Sequence, residues 1–476
     1  MKCAKMAALA CALLLCSGMA YAADSADVQA AASAVSGAVT RDKQVMAQGS
    51  TQVGNMPGNG MMPPGGANPP GGFNPPGKVT QGTAARNLTE KATIKNQVFG
   101  SAGNDENALR VTGATVTLNH VDIIKQAGKS SSTEGGDFYG MNAALLATDG
   151  AQVTIKDSTV YSHAPNGNGL FSYGQGTMVS AKNVAITTKG NNSGGLQTTG
   201  GGTTKAENVT VSTAGNSAAA IRSDRGGGTI RVKGGTFKTE GYGSPAIYST
   251  ADIAVDHTAL SASHSEGAVI EGKNSISLKN CSLEGSMSDT RVMGNQTIKE
   301  ENIHTVMIYQ SMSGEAEQGT SAFSMEGGSL ISHKGDVFYV TNTDCTIHLK
   351  QVKITSEDPS GAFLRIAGNS ASRGWGTAGA NGGKVLFTAE KQDISGDILV
   401  DSISALDMTL GKNSRWTGSL QATANDKAAE GKKAEINLTI EKGAVWNLTA
   451  DSTVTTLNNN GTINKNGHTL TILNEK

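Results

Sequence analysis

Between residues 144 and 273 the chain repeats one short phrase six times. The phrase reads Ala144-Leu145-Leu146-Ala147-Thr148, Gly169-Leu170-Phe171-Ser172-Tyr173, Gly195-Leu196-Gln197-Thr198-Thr199, Ala220-Ile221-Arg222-Ser223-Asp224, Ala246-Ile247-Tyr248-Ser249-Thr250 and Val269-Ile270-Glu271-Gly272-Lys273. Its first column (Leu145, Leu170, Leu196, Ile221, Ile247, Ile270) is always aliphatic, the next varies freely, and the third is small. A period of two is strand geometry, with the aliphatic and small positions inward and the variable one outward. Recurrence at about 25 residues is the mark of a stacked repeat, in which each unit buries its apolar face against its neighbours.

The rest of each repeat carries further strands. Ala114-Thr115-Val116-Thr117-Leu118, Val153-Thr154-Ile155 and Val209-Thr210-Val211 are β-branched runs set between Gly, Asn and Asp, as pleated strands require. A turn position recurs at Asn119, Asp157, Asn183, Asn208, Gly234, Asp256 and Asn280, residue types that tolerate a left-handed backbone. No stretch shows a helical period. The pattern predicts an all-β solenoid, a parallel β-helix. The aliphatic column continues through Ile308, Phe338 and Leu364, with loops near residues 285–303, 313–321 and 368–384. About fifteen rungs at roughly 4.8 Å each give a rod on the order of 70 Å long, expected to be one monomeric body without a hinge.

The ends read differently. Lys2 and Lys5, the apolar run from Met6 to Cys16, and Ala20-Tyr21-Ala22 make residues 1–22 a signal peptide. Leu15 before Cys16 argues against lipid anchoring. Residues 23–53 read as a weakly structured arm, and 54–82, with Pro63-Pro64, Pro69-Pro70 and Pro75-Pro76 each followed by glycine, as a linker. The β-helix is expected over 83–476. The chain is thus expected to be exported, to the periplasm, cell surface or medium, with no transmembrane segment once the signal is removed. A net charge of −1 excludes the basic surplus that nucleic acid demands. Aromatics at 4% and 61 glycines suit a narrow solenoid interior. Cys281 and Cys345, the cysteines that remain after cleavage, fall on different rungs and are expected to be two buried thiols.

The coil length and the Asn/Asp corners resemble a right-handed parallel β-helix of the pectate-lyase-like superfamily. Asn413-Ser414-Arg415-Trp416-Thr417-Gly418-Ser419-Leu420 and Trp446-Asn447-Leu448-Thr449-Ala450-Asp451-Ser452, with Val454, Leu457 and the Asn460-Gly461 turn, resemble the passenger domains of bacterial autotransporters and β-helical adhesins. The resemblance implies a stable C-terminal cap. In that family a membrane barrel follows it; no barrel strands follow within this sequence, which puts self-export in doubt.

Candidate chemistry sits in the outward columns. The first reads Leu146, Phe171, Gln197, Arg222, Tyr248, Glu271, Tyr309, Tyr339 and Arg365, and the second adds Tyr173, Asp224, Lys273 and Thr341. Phe171, Tyr173, Arg222, Asp224, Arg225, Tyr248, Glu271, Tyr309, Tyr339 and Arg365 are the candidate binding residues. Aromatic faces beside charged groups form a shelf for an extended polysaccharide or host glycan. The expected function is an adhesin-like carbohydrate-binding protein. One alternative is a polysaccharide lyase or glycoside hydrolase on the same shelf, with Arg222 or Arg225 as base. The other is a plain structural rod. Asp224 and Glu271, two rungs or about 10 Å apart, sit at the limit for paired-carboxylate hydrolysis. Of the polygalacturonase signatures only Asn342-Thr343-Asp344 occurs. The eight histidines show no metal-ligand spacing, no cofactor motif is present, and the mixed outward column argues against ice binding.

Overall fold

A computed structural model describes residues 79–293 and 296–474; the signal peptide, the arm and nearly all of the linker lie outside the described residues. Within them the repeat pattern becomes a parallel β-helix, with one outlying antiparallel hairpin, Thr290–Met293 with Gln296–Lys299.

Each rung has three strand legs. Two of them form one bent strand: Gln152–Ser162 lies in register on Met178–Thr188, which lies on Gly202–Thr213 and then on Gly228–Thr239. Its bend falls at Asp157, in the left-handed region at φ 48°. The first half of Gln152–Ser162 pairs with Thr115–Asn119 and the second with Asp122–Lys125. The third leg is the repeated phrase, stacked into a thirteen-stranded parallel sheet from Asn87–Leu88 to Leu420–Thr423 in chain order.

The corner column holds as expected at Asp157, Asn183, Asn208, Gly234 and Asn280. On two rungs the left-handed residue is instead His120 (φ 51°) and His257 (φ 50°), one position beyond Asn119 and Asp256. Register decides this, since Asn119 pairs with Lys156 and Asp256 with Lys233 and Lys279. His257 is held by Asp256, with Nδ1 to Oδ1 at 2.7 Å. Asn183 donates to Asp157 at 2.9 Å, a fragment of an amide ladder. At Gly234 (φ 69°) the corner is again left-handed, with Asn208 Oδ1 2.7 Å from where a Cβ would stand.

Inside, like stacks on like. Phe323, Phe338, Phe363 and Phe387 form an edge-to-face chain with centroids 5.5, 5.7 and 5.8 Å apart. Trp416 and Trp446 stack in parallel at 4.7 Å, and their Nε1 atoms donate to Gly396 O and Gly418 O at 3.0 Å each. Outside, the column Lys182, Glu207, Lys233, Asp256, Lys279, Glu326, Lys350, Glu390 mostly alternates in sign. Lys182–Glu207 (2.8 Å) and Lys350–Glu326 (3.0 Å) are exposed pairs, worth little each but hostile to slipped registers. Cys281 and Cys345 are both buried and free.

One helix, Thr133–Tyr139, stands where none was expected. Seven residues are too few to print a hydrophobic period. It is set by its ends: Ser132 Oγ accepts from Gly135 N at 2.9 Å, and Gly140 (φ 78°) closes it. No helix among the described residues is long and apolar enough to cross a membrane.

The tryptophan stack generates a stability test. Trp446→Ala should cost about 3–5 kcal/mol, the range for emptying a buried aromatic site. Lys182→Ala should change stability by less than about 1 kcal/mol. Chemical denaturation, with limited proteolysis to locate fraying in the C-terminal rungs, measures both; equal losses would contradict this packing account.

Candidate functional site

The outer face of the thirteen-stranded sheet carries all the residues singled out from sequence, but in a different register. Paired residues run Leu146, Phe171, Gln197, Arg222, Tyr248, Val269, Met307, Tyr339, Arg365. The column two residues on holds Tyr173 and Thr199, and later Glu271, Tyr309 and Thr341. Tyr248 therefore faces Val269 rather than Glu271, and Tyr309 faces Thr341 rather than Tyr339. The rung after Ile247 is short, and Ile247 pairs with Ala268, not Ile270. A slip of two residues keeps every side chain on its own face, so alternation alone cannot detect it.

This face is also not the open shelf the outward column implies. Residues 126–144, with the helix, lie over its first rungs. Phe171 is fully buried there beside Leu146. Tyr173 packs edge-on against Tyr139 at 5.7 Å. Gln197 Nε2 donates to Asp137 O at 3.0 Å and Thr199 Oγ1 to Phe138 O at 2.6 Å, fastening the helix to the sheet. Further along, residues 286–293, 296–303, 310–320 and 367–382 form a second cover.

Between the covers lies a charged crevice. Arg222 Nε meets Asp224 Oδ2 at 2.6 Å, and its Nη1 lies 3.6 Å from Asp137. Gln197 also donates to Asp224, at 2.9 Å. Arg225 pairs with Glu134 and lies 4.3 Å over the Phe138 ring. The buried Glu271 carboxylate accepts from three hydroxyls, those of Tyr248, Tyr309 and Ser311. Glu315, on the 310–320 loop, faces the same group of charges. Burial pushes the Asp224 carboxyl up to about 6, with Arg222 opposing and Asp137 and Glu271 adding to the rise. Burial, then the negative charges of Asp224 and Glu271, raise Glu315 to about 7, with Arg225 and Arg222 opposing. Burial and the adjacent Glu271 carry the Tyr248 phenol well above its ordinary value.

A cleft opens beside the crevice. Glu300 is its polar anchor, taking Arg373 Nη2 at 2.8 and 3.0 Å and the Tyr242 hydroxyl. Trp375 packs on Tyr309 at 4.6 Å, with Arg373 4.9 Å over its indole. His304 lies on Tyr339 at 5.2 Å, its Nδ1 2.9 Å from Asn302 Oδ1. Asn302 Nδ2 and Arg365 Nε both reach Asp336, at 2.8 and 2.5 Å. Burial would raise Glu266, but His304 and the Ser265 hydroxyl outweigh it and hold the carboxyl at about 2. The cavity among Met287, Glu300, His304, Tyr339, Arg373 and Trp375 measures about 30 Å³, room for a water or two, or for one projecting group of a larger ligand.

Of the ten candidates, Arg222, Asp224, Arg225, Tyr248, Glu271 and Tyr309 come together in the crevice, and Tyr339 and Arg365 belong to the cleft. Phe171 and Tyr173 serve the helix packing. Asp137, Ser311, Glu315, Arg373 and Trp375 went unnoticed in the sequence because they sit in insertions, which carry no repeat. The signal available was the long gaps, plus one of only three tryptophans lying in such a gap. Among the described residues no three His, Cys, Asp or Glu side chains are grouped to hold a metal ion. Comparison with protein-family profiles, curated proteins and solved structures gave no match.

The two raised carboxyls give a pH signature. Each holds its proton more tightly folded than unfolded, so the folded state binds more protons between the ordinary carboxylate range and about 7. Their contribution is present at low pH and is lost as pH rises through about 6 to 7. The melting temperature should fall by about 3 °C between pH 5 and 8, and by less in Glu315→Gln, which mimics the protonated carboxyl. A profile that rises over this window, or an unchanged slope in the variant, would contradict the assignment.

Proposed function

We propose that the protein is an exported, adhesin-like β-helical binding protein, of the passenger type its C-terminal motifs resemble, and that it holds carbohydrate on the covered face of the thirteen-stranded sheet. The observation that carries this reading is that the insertions gather on one face and leave Trp375 half-exposed there. The indole is backed by Tyr309, flanked by Arg373, and set at the mouth of a polar cavity. An apolar ring face beside fixed hydrogen-bonding groups is the recognition chemistry of a sugar ring, whose C–H face stacks while its hydroxyls are bonded at the edge. Arg225 and Glu315, both partly exposed, extend the same surface toward the helix, so a ligand could reach beyond the cleft.

Cleavage is the second reading, favoured by one observation. Asp224 and Glu315 lie near neutrality in the same crevice as Glu271, and a carboxylic acid beside a carboxylate is the pairing that glycoside hydrolysis uses.

A glycan array probed with the full chain tests both. Saturable binding should weaken at least about tenfold in Trp375→Ala, with the ligands recovered intact. Shortened ligands would move the protein to the hydrolases. Undiminished binding in Trp375→Ala would remove the cleft from the site.

A further inference from the structure

Resting on the carbohydrate reading, we propose that the saccharide this face takes is amine-bearing, its ammonium seated beside Glu315, and that acidic sugars are rejected. Five arginines lie around the crevice and cleft, and each is committed within the protein. Arg222 is held by Asp224 and Asp137, Arg225 by Glu134, Arg365 by Asp336, and Arg373 by Glu300. Arg291 points its Nε at Glu300 from 3.9 Å. None of these five guanidiniums is left to form the two-pronged bond that makes arginine the reader of uronate, sulfate or phosphate groups. Lys273, at the end of its rung, is exposed, its stem lying along Gly319 of the loop that carries Glu315.

The carboxylates are not all spent. Around the crevice Asp137, Asp224, Glu134, Glu271 and Glu315 meet only Arg222 and Arg225. Glu271 is satisfied by hydroxyls alone. Among the described residues the Glu315 carboxylate has neither an ion pair nor a hydrogen-bond partner, although it sits close enough to Asp224 and Glu271 to feel their charge. It is also on the rim, half-buried, where a ligand can reach it.

The orphaned polar atoms agree in sign. Two buried amides of this neighbourhood, Gln197 and Gln310, have carbonyl oxygens without a donor. The Gln197 amide bonds Asp224, and that of Gln310 bonds Ser311 O and Ala316 O on the Glu315 loop. The buried nitrogens without a hydrogen bond, Arg291 Nε and His304 Nε2, each already look at a carboxylate, at 3.9 and 3.6 Å. In the crevice five acids face two arginines. A protonated amino sugar supplies positive charge; a uronate would bring a like charge to a crevice where acids outnumber arginines.

The test titrates the full chain at pH 7 with oligosaccharides of glucosamine, N-acetylglucosamine and galacturonic acid of matched length. Glucosamine oligomers should bind at least about tenfold more tightly than the other two. In Glu315→Gln, shown to be folded by a single cooperative melting transition, most of that preference should disappear. N-acetylated or uronate oligomers binding as well as the amine form would overturn this inference and leave the carbohydrate reading standing. An amine preference that survives Glu315→Gln would overturn the place assigned to the ammonium. Silence toward all three would overturn the carbohydrate reading and this inference with it.

Discussion

Every rung is tied to the next by in-register parallel backbone hydrogen bonds, and the rest of the molecule follows from that lattice. A side chain has its equivalent about 4.8 Å away on each side, so residues meet others of the same column whether or not they suit each other. Trp416 and Trp446 stack because the ladder pairs them, whereas the phenylalanines meet edge to face across the interior from different legs. From Lys182 onward lysines and acids alternate on the outside, where a long column of one sign would repel itself, although Lys156 stands beside Lys182. The ladder also dictates where variation is tolerated. An extra residue within a leg would turn the following side chains inside out, whereas an insertion between legs leaves the ladder intact.

That rule explains the site. The insertions leave the coil where strands end, and those that fold back cover one sheet. The covered face then becomes unlike a solenoid exterior. Its charged groups are withdrawn from water, bound to one another, and fixed by hydrogen bonds that a solvated residue would not keep. Glu271 illustrates the change: an outward position by the strand pattern, yet a buried carboxylate held by three hydroxyls from the two neighbouring rungs and one insertion. Burial of unequal numbers of acids and bases is what raises Asp224 and Glu315. Such a surface is pre-organised, so a ligand meets groups whose ordering entropy is already spent in folding.

Stability is expected to be graded along the rod in the manner of other repeat arrays, with nearest-neighbour interfaces carrying most of it. The middle rungs are covered on both sides. Toward the C terminus, Thr456–Asn459 and Thr462–Asn464 are partly open to solvent, so the tryptophan stack just before them anchors the end. The covers contribute in a second way, because residues such as Gln197 and Thr199 bond the helix to rungs far from it in sequence.

What the sequence determined by itself is the repeat: the inward aliphatic column, the corner residues at Asp157, Asn183 and Asn208, the parallel solenoid, and the face on which Arg222, Tyr248 and Glu271 point. These are legible because they rest on local rules of period two and of left-handed backbone tolerance. Register was not. Alternation fixes a face modulo two residues, so Ile270 could stand in for Ala268, and corner chemistry alone let Asn119 stand in for His120 beside it, until the neighbouring rung chose between them. The cover was not legible either, since Thr133–Tyr139, Glu315 and Trp375 lie in stretches without a period, and their contacts span long separations in the chain. Exposure, charge pairing and proton affinity on the candidate face were decided only there. They depend on which groups are brought together from distant segments, and on how much water the folded chain excludes.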